Sequence, residues 1–237
     1  MPPPEAFRAF DAAFLPWMRR RIAGIHIAGL PLAHPPDRPL IIVSNHVSWW
    51  DGFLLRQVQW LLRPGAPLHI VMLEHELQRR PLLGMLGAVG IDPRKPGSVV
   101  RTLRLLAERL ERRPDSVVLY FPQGKIWPSH RRALGFQRGI ELFARHLPPA
   151  DILPVGIHLE PLAAPAPHAF VAAAGPLAAR TATAAALESV VERELDSIFG
   201  LLARYGEDAP AQWPGVHGSL DTRSRSGVSA PLARAGR

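Results

Sequence analysis

The feature that most constrains this chain is the apolar segment at residues 40–44, which ends in a polar turn. Its sequence, Leu-Ile-Ile-Val-Ser, has the length and β-branched composition of a strand buried on both faces. The turn that follows places His46 and Asp51 at the strand end with four residues between them. Open α/β sheets carry their chemistry in the crevice at the carboxyl ends of their strands, so this titratable pair marks a candidate site.

The pair has a plausible chemical role and an ordinary alternative. A neutral imidazole, with a pKa near about 6.5, accepts a proton from a hydroxyl, and a carboxylate on its other ring nitrogen fixes the tautomer. A turn that opens a helix after His46 would bring Asp51 back to the ring. Alternatively, Asp51 caps that helix and His46 is an ordinary boundary histidine. For the pair in isolation this alternative is favoured, because such neighbours are common by chance.

Beyond this turn, predicted strands and helices alternate, which indicates an α/β domain with a mixed, largely parallel central sheet flanked by helices. The residue 96–112 segment gives the clearest helix, since Val99, Leu103, Leu106 and Leu110 form one apolar stripe. The predicted strands are 40–44, 68–73, 89–92, 116–121, 151–160 and 169–173. The predicted helices are 52–62, 74–86 with a break at Pro81, 96–112, 137–146 and 182–203.

Both ends of the chain differ in composition from this domain. Residues 5–27 combine large apolar side chains at helical spacing with three consecutive arginines at 19–21, so residues 1–34 are predicted to form an amphipathic arm. That arm suits either a lipid headgroup layer or packing on its own domain, and the segment alone does not decide between them. The main domain is assigned to residues 35–205, and residues 206–237 to a disordered basic tail.

Composition narrows the function classes. Lys and Arg number 28 against 20 Asp and Glu, a formal charge of +8 that favours an anionic partner. The absence of cysteine excludes a thiol nucleophile and cysteine-ligated metals. The histidines show no metal-ligand pattern, and no aromatic stacking platform or helix-turn-helix signature supports nucleic-acid binding. Neither a signal peptide nor an apolar run of about 20 residues is recognisable, so we expect neither export nor a membrane-spanning helix.

A second polar turn follows the predicted strand at 116–121. This turn offers backbone donors, an amide and a cation at another strand end, and its residues are Phe121, Pro122, Gln123, Gly124 and Lys125. Together with the first turn, this segment resembles the lysophospholipid acyltransferase family of the 1-acylglycerol-3-phosphate acyltransferase type. The third motif of that family, Phe-Pro-Glu-Gly-Thr-Arg-Ser, is met by Phe121, Pro122 and Gly124, whereas Gln123 replaces the acid and Lys125-Ile126 replace Thr-Arg.

The other family motifs occur in order between residues 40 and 160. The first, Asn-His-x-Ser-x-x-Asp, is met in full by Asn45, His46, Ser48 and Asp51. Residues 87–94 are similar to the second motif, with its arginine displaced to Arg94, and residues 152–156 are similar to the fourth. Each motif alone is weak evidence for the family, but the four motifs in this order are highly specific for it.

The resemblance implies transfer of a fatty acyl group from acyl-CoA or acyl-carrier protein to a hydroxyl of a membrane lipid, as in phospholipid biosynthesis, with no cofactor and no metal. His46 is then the general base and Asp51 its orienting partner. Backbone N–H groups near Gly124 or His46 are candidate donors to the reaction oxyanion. The substrate-binding residues implied are Asn45, Ser48, Arg94, Phe121, Pro122, Gln123, Gly124 and Lys125.

The departures from the third motif bear on the acceptor. The family's acid and arginines there are associated with the acceptor's glycerol-phosphate, whereas Gln123 is neutral and can hydrogen-bond a hydroxyl. We therefore hypothesise an acceptor other than lysophosphatidic acid, such as a glycosylated lipid. The protein is expected to lie peripherally on the cytoplasmic face of the cell membrane. The alternative function is a catalytically silent lipid-binding protein on the same fold.

Overall fold

The core of the molecule is a sheet of short apolar strands covered on both faces. The structure, a computed structural model, describes residues 4–30, 34–213 and 215–216. The apolar segment at residues 40–44 is buried at every position, as expected for a central strand. The strands are β1 Gly24–Ala28, β2 Leu40–Ser44, β3 Leu68–Leu73, β4 Ala88–Ile91, β5 Val117–Tyr120, β6 Asp151–Glu160, β7 His168–Ala173, β8 Leu177–Ala178 and β9 Gly215–Val216.

The strand order is β4-β3-β5-β2-β6-β7-β1-β9, with β8 paired to β6. The pairings of β2 with β5 and β6, of β3 with β4 and β5, and of β1 with β7 are parallel. Those of β7 and β8 with β6 and of β9 with β1 are antiparallel. The predicted mixed, largely parallel sheet of a single α/β domain is confirmed, and β2 lies near its centre.

Helices cover both faces of this sheet. They are α1 Pro4–Arg19, α2 Asp51–Leu62, α3 Glu74–Arg79, α4 Leu82–Met85, α5 Pro96–Arg112, α6 Gly139–His146, α7 Ala184–Tyr205 and α8 Ala209–Gln212. One apolar cluster joins the sheet to α5, α6 and α7, and the other joins it to α1 and α2. The predicted stripe of α5 is largely confirmed, since Leu103, Leu106 and Leu110 are buried.

The predicted boundary at residue 34 is wrong. The first helix ends at Arg19, and β1 then joins the sheet by parallel pairing with β7. Met18 and Ile27 are buried in the same cluster as α2. Helical periodicity could not reveal β1, because a five-residue strand is stabilised by a partner about 140 residues away in sequence rather than by local propensity.

The first residues of the expected tail, 206–213 and 215–216, belong to the fold. Residues 206–208 form a 3₁₀ turn, α8 follows with Ala209 fully buried, and β9 pairs with β1. Trp213 packs against the cluster beneath α7, which explains why a segment poor in large apolar residues is nevertheless ordered. The rest of the predicted tail, residues 217–237, lies outside the described residues. None of the described helices is long and apolar enough to cross a bilayer.

Candidate active site

The turn after β2 is organised by the carboxylate of Asp51. One carboxylate oxygen lies 2.8 Å from Nδ1 of His46 and accepts hydrogen bonds from the backbone N–H groups of Val47, at 2.6 Å, and Ser48, at 2.9 Å. The other accepts the Ser48 hydroxyl. Asp51 is fully buried as the first residue of α2. This many donors to one buried carboxylate hold it in one position.

The geometry fixes which nitrogen of His46 is basic. An ionised Asp51 only accepts hydrogen bonds, so Nδ1 carries the proton and the lone pair lies on Nε2. The imidazole side chain is 23% exposed, and Nε2 has no hydrogen-bond partner in the part of the chain that the structure describes. The ring stacks on Phe121 with the two centroids 4.3 Å apart. His46 therefore presents a basic nitrogen in a fixed orientation.

The second turn is attached to the first through Gln123. Its side-chain carbonyl accepts the His46 backbone N–H at 2.7 Å, and its amide donates to the Leu134 carbonyl at 2.8 Å. The Trp127 N–H also donates to the His46 carbonyl, at 2.8 Å. Gly124 turns the chain with φ of +70°, and a Cβ there would lie 3.3 Å from the Gln137 amide nitrogen, so glycine is required.

Two glutamates of α7 hold the far side of this loop. Glu188 accepts the backbone N–H groups of Gly135 and Phe136 at 2.7 and 2.9 Å, and Glu192 accepts that of Leu134 at 3.3 Å. Leu134 in turn accepts the amide of Gln123. A continuous set of hydrogen bonds therefore runs from α7 through the loop to the backbone of the candidate base.

His46 lines a cavity of about 820 Å³ at the carboxyl ends of the central strands. Its walls are mainly apolar, and its charged members are four cations and one carboxylate. The apolar members include Phe53, Leu68, Ile70, Met72, Leu83, Leu86, Ile91 and Phe143, and the charged members are Arg56, Glu76, Arg80, Lys125 and Arg138. The cavity therefore suits a ligand with a long apolar part and an anionic part.

Four of the predicted substrate-binding residues line this cavity: Phe121, Pro122, Gly124 and Lys125. The ammonium of Lys125 lies 4.1 Å from the ring centroid of Trp127, which holds this cation at the cavity by a cation–π contact. The loop after β5 is thus both a wall of the cavity and a support for His46.

The other four do not line the cavity. Asn45 exchanges two 2.8 Å hydrogen bonds with the Ile157 backbone, extending the β2–β6 pairing, and Ser48 contacts Asp51. Gln123 is 3% exposed, and both ends of its amide contact protein groups. Arg94 points to solvent beside Asp92. Asn45, Ser48 and Gln123 therefore have a structural role in place of the predicted substrate contact, because their polar side-chain atoms form hydrogen bonds with other protein groups.

The oxyanion donors suggested by the sequence also have partners already. The N–H of His46 donates to Gln123, and that of Gly124 donates to the Phe121 carbonyl at 3.0 Å. The cationic side chain of Lys125 remains as a group of the right charge in the cavity wall.

Comparison with known proteins bears on the same part of the chain. The Acyltransferase family model matches residues 29–158, more than half of the 237-residue chain. The chain belongs to the Acyltransferase family. This confirms the prediction made from the ordered motifs, and the matched residues include the whole of the first turn and the loop that carries Gln123.

Two individual proteins extend the comparison. A 1-acyl-sn-glycerol-3-phosphate acyltransferase of Pseudomonas aeruginosa is 30% identical over 115 residues, covering 47% of this chain and 42% of that relative. The chain thus matches less than half the length of this curated relative. The crystal structure of PlsC, the 1-acyl-sn-glycerophosphate acyltransferase of Thermotoga maritima, superimposes with a TM-score of 0.53 at 20% identity, over 74% of this chain and 72% of that one. This likeness shows a shared fold.

Several members of the site escaped sequence reasoning. Glu188 and Glu192 lie more than 50 residues from the loop they hold, with no pattern that links them to it. Tyr120 lines the cavity, and burial raises the pKa of its phenol to about 12, so it stays protonated. Its position directly before Phe121, at the end of β5, was the one available signal.

Proposed function

We propose that this protein transfers a fatty acyl group from a thioester donor, acyl-CoA or acyl-carrier protein, to a hydroxyl of a membrane lipid. The observation that carries the proposal is the orientation of His46: Asp51 holds Nδ1, and Nε2 lacks a partner among the described residues, on a ring that lines an apolar cavity. Family membership supports the same reaction class.

In the proposed reaction, Nε2 of His46 removes the proton of the acceptor hydroxyl as its oxygen attacks the thioester carbonyl carbon. The tetrahedral oxyanion then collapses, the carbon–sulfur bond breaks, and the imidazolium returns the proton to the thiolate. The products are an ester and a free thiol, so no covalent enzyme intermediate is needed. Asp51 stabilises the transient imidazolium, a contribution that together with base catalysis accounts for about 10²–10⁴ in rate.

The cavity supports a phosphate-bearing acceptor rather than the neutral one that the sequence suggested. The neutral-acceptor hypothesis rested on Gln123, whose amide contacts His46 and Leu134 instead of the cavity. The charged lining contains Arg56, Arg80, Lys125 and Arg138 against one glutamate. A lysophospholipid such as the 1-acylglycerol-3-phosphate named for the Pseudomonas relative matches this charge and the apolar walls.

We further propose that the reaction occurs at a membrane surface, on the cytoplasmic face where acyl thioesters are made. Trp17 of α1 and Trp49 beside His46 are both exposed, and their rings touch at a centroid distance of 5.8 Å. Arg19, Arg20 and Arg21 follow directly at the end of α1. Exposed tryptophans next to arginines are typical of segments that lie in a headgroup layer.

The test is a transfer assay with purified full chain on vesicles containing a labelled acceptor. Palmitoyl-CoA and palmitoyl-acyl-carrier protein serve as donors, and lysophosphatidic acid, lysophosphatidylcholine and a monoglycosylated acylglycerol as acceptors. We expect transfer to lysophosphatidic acid to exceed transfer to the neutral glycolipid. Preference for the glycolipid would reject the phosphate-bearing acceptor, and lipid binding without transfer from either donor would favour the silent binding protein.

A further inference from the structure

The four-residue helix α4 is amphipathic across a single turn, and its two faces have different surroundings. Leu83 and Leu86 line the cavity that contains His46. Leu82 and Met85 do not line it and are 68% and 58% exposed. A thin wall of the cavity therefore has an apolar outer surface, which is costly to leave in water.

The residues before α4 are basic. Arg79 and Arg80 lie at the end of α3, and both contact the carboxylate of Glu76. Their side chains are nevertheless 73% and 47% exposed. Basic residues followed at once by exposed leucine and methionine have the composition of a segment that lies at a lipid interface.

The outer surface of α4 also belongs to a larger apolar rim. Trp49 and Ile126 line the same cavity as Leu83 and Leu86, and both are half exposed. Trp49 in turn touches Trp17 of α1. The exposed apolar side chains thus come from three segments that border one cavity, the turn before α2, α4 and the loop after β5, and from α1, which adjoins them through Trp17.

We propose that α4 is a second membrane contact, in which Leu82 and Met85 insert into an anionic phospholipid bilayer. Arg79 and Arg80 then lie against its headgroups, and the lipid chain passes from bilayer to cavity beside α4 without crossing water. A bilayer matches both properties of this surface, since it supplies anionic headgroups for the arginines and hydrocarbon for the apolar pair. The inference rests on the proposed membrane-bound reaction and adds to α1 a second surface with a stated partner.

The test compares two double substitutions in the full chain. L82S/M85S removes the outer apolar surface of α4, whereas V100S/L105S removes two exposed apolar side chains from α5 and serves as the matched control. Flotation is measured with vesicles of equal parts phosphatidylcholine and phosphatidylglycerol, and with phosphatidylcholine alone. Acyl transfer is measured on the same vesicles and with the acceptor dispersed in detergent micelles.

We expect L82S/M85S to weaken binding to the anionic vesicles by about tenfold or more and to lower vesicle-based transfer in proportion. Its transfer in micelles should stay within about twofold of the wild type, because neither residue lines the cavity. The control should match the wild type in both assays. Equal vesicle binding by L82S/M85S and the control would overturn the proposal.

The experiment tests the membrane contact and the enzymatic reaction independently, because flotation measures the first and acyl transfer measures the second. Loss of flotation in L82S/M85S with normal flotation of the control supports the α4 contact even if no variant transfers acyl groups, a result that counts against the proposed reaction. A circular dichroism melt of L82S/M85S within about 2 °C of the wild type establishes that the loss is not caused by unfolding.

Discussion

Two histidine–aspartate pairs lie at opposite ends of the neighbouring strands β2 and β6, and the pair at the carboxyl end borders the cavity described above. At the carboxyl end, Asp51 holds Nδ1 of His46, while Nε2 has no partner among the described residues. At the amino end, His34 contacts Asp151 through Nε2 at 3.1 Å and the guanidinium of Arg63 through Nδ1. The two pairs thus share their residue types and differ in whether one imidazole nitrogen is available to a substrate.

The amino-end pair belongs to a buried clamp. Arg63, 5% exposed, donates to the carbonyls of Pro35 at 2.5 Å, Arg38 at 2.8 Å, Asp115 at 2.9 Å and Ser116 at 3.3 Å. It ties the end of α2 to the segments that enter β2 and β5. Its role is structural, because it holds the segments before β2 and β5 together.

The surroundings of His34 also set its protonation state. Burial, and then the charge of Arg63, lower the pKa of His34 and keep its imidazole neutral. A neutral His34 accepts from Arg63 and donates to Asp151, so the clamp uses both of its nitrogens. His46 is the opposite tautomer: it carries its proton on Nδ1, which contacts Asp51, and Nε2 has no partner among the described residues.

The largest expected effect comes from substituting the two histidines in parallel. His46→Ala should lower acyl transfer by about 10³-fold and leave the thermal midpoint nearly unchanged, because it removes the base and little packing. His34→Ala should lower the midpoint by several degrees and leave transfer per folded molecule within about twofold. Initial rates and circular dichroism melts measure both. Equal loss of transfer in the two variants would remove the distinction between the pairs.

The next effect concerns the clamp. Arg63→Ala should lower the free energy of unfolding by about 3–5 kcal/mol, since it leaves His34 and four carbonyls without the buried guanidinium that donates to them. Arg113→Ala is the control, because Arg113 forms an exposed pair with Asp115 worth less than about 1 kcal/mol. Denaturant titration of both variants checks the difference. A loss near the control value would mean that Arg63 does not hold the amino end together.

A third histidine sharpens the comparison because its ring forms no hydrogen bond with any described residue. His69 on β3 is fully buried, and neither ring nitrogen has a hydrogen-bond partner in the described part of the chain. Burial, with a smaller contribution from Arg109, lowers its pKa from 6.5 to about 4. Between these values the unfolded state binds more protons, so the stability that neutral His69 gives is full above pH 6.5 and falls towards pH 4.

The expected amplitude of this loss is about 3 kcal/mol. His69→Leu should flatten the dependence of the unfolding free energy on pH in that window, whereas His75→Gln, at an exposed position of α3, should not. Urea titrations at several pH values measure the slopes. An unchanged slope in His69→Leu would show that His69 titrates as an ordinary surface histidine.

The smallest effect tests how the active pair is supported. Gln123→Glu keeps an acceptor for the His46 N–H but sets a carboxylate against the Leu134 carbonyl, and Gln123→Met removes both hydrogen bonds. We expect kcat to fall by about tenfold in each, with the acceptor KM changing by less than about twofold. If the KM for the acceptor rises while kcat is unchanged, Gln123 binds substrate after all.

Much of the fold followed from local patterns. The bounds of β3, α5 and β6 match their predictions to the residue, because each is a long or fully buried run with clear breaks at its ends. The strand β1 and the ordered segment after Tyr205 were missed, since both depend on partners distant in sequence. Local propensity carries no information about such partners.

The sequence by itself determined the fold class, the family and the pairing of His46 with Asp51, because those depend on motifs whose members are close along the chain. Only the tertiary structure decided what the other polar residues do. Gln123 and Asn45 have the same groups whether they face a lipid or a carbonyl, and Leu134 and Ile157 reach them only when distant segments fold together. The sequence gives a side chain its chemistry, but packing sets its partner, which is why the contact of His46 with Asp51 could be predicted and the partners of Gln123 and Asn45 could not.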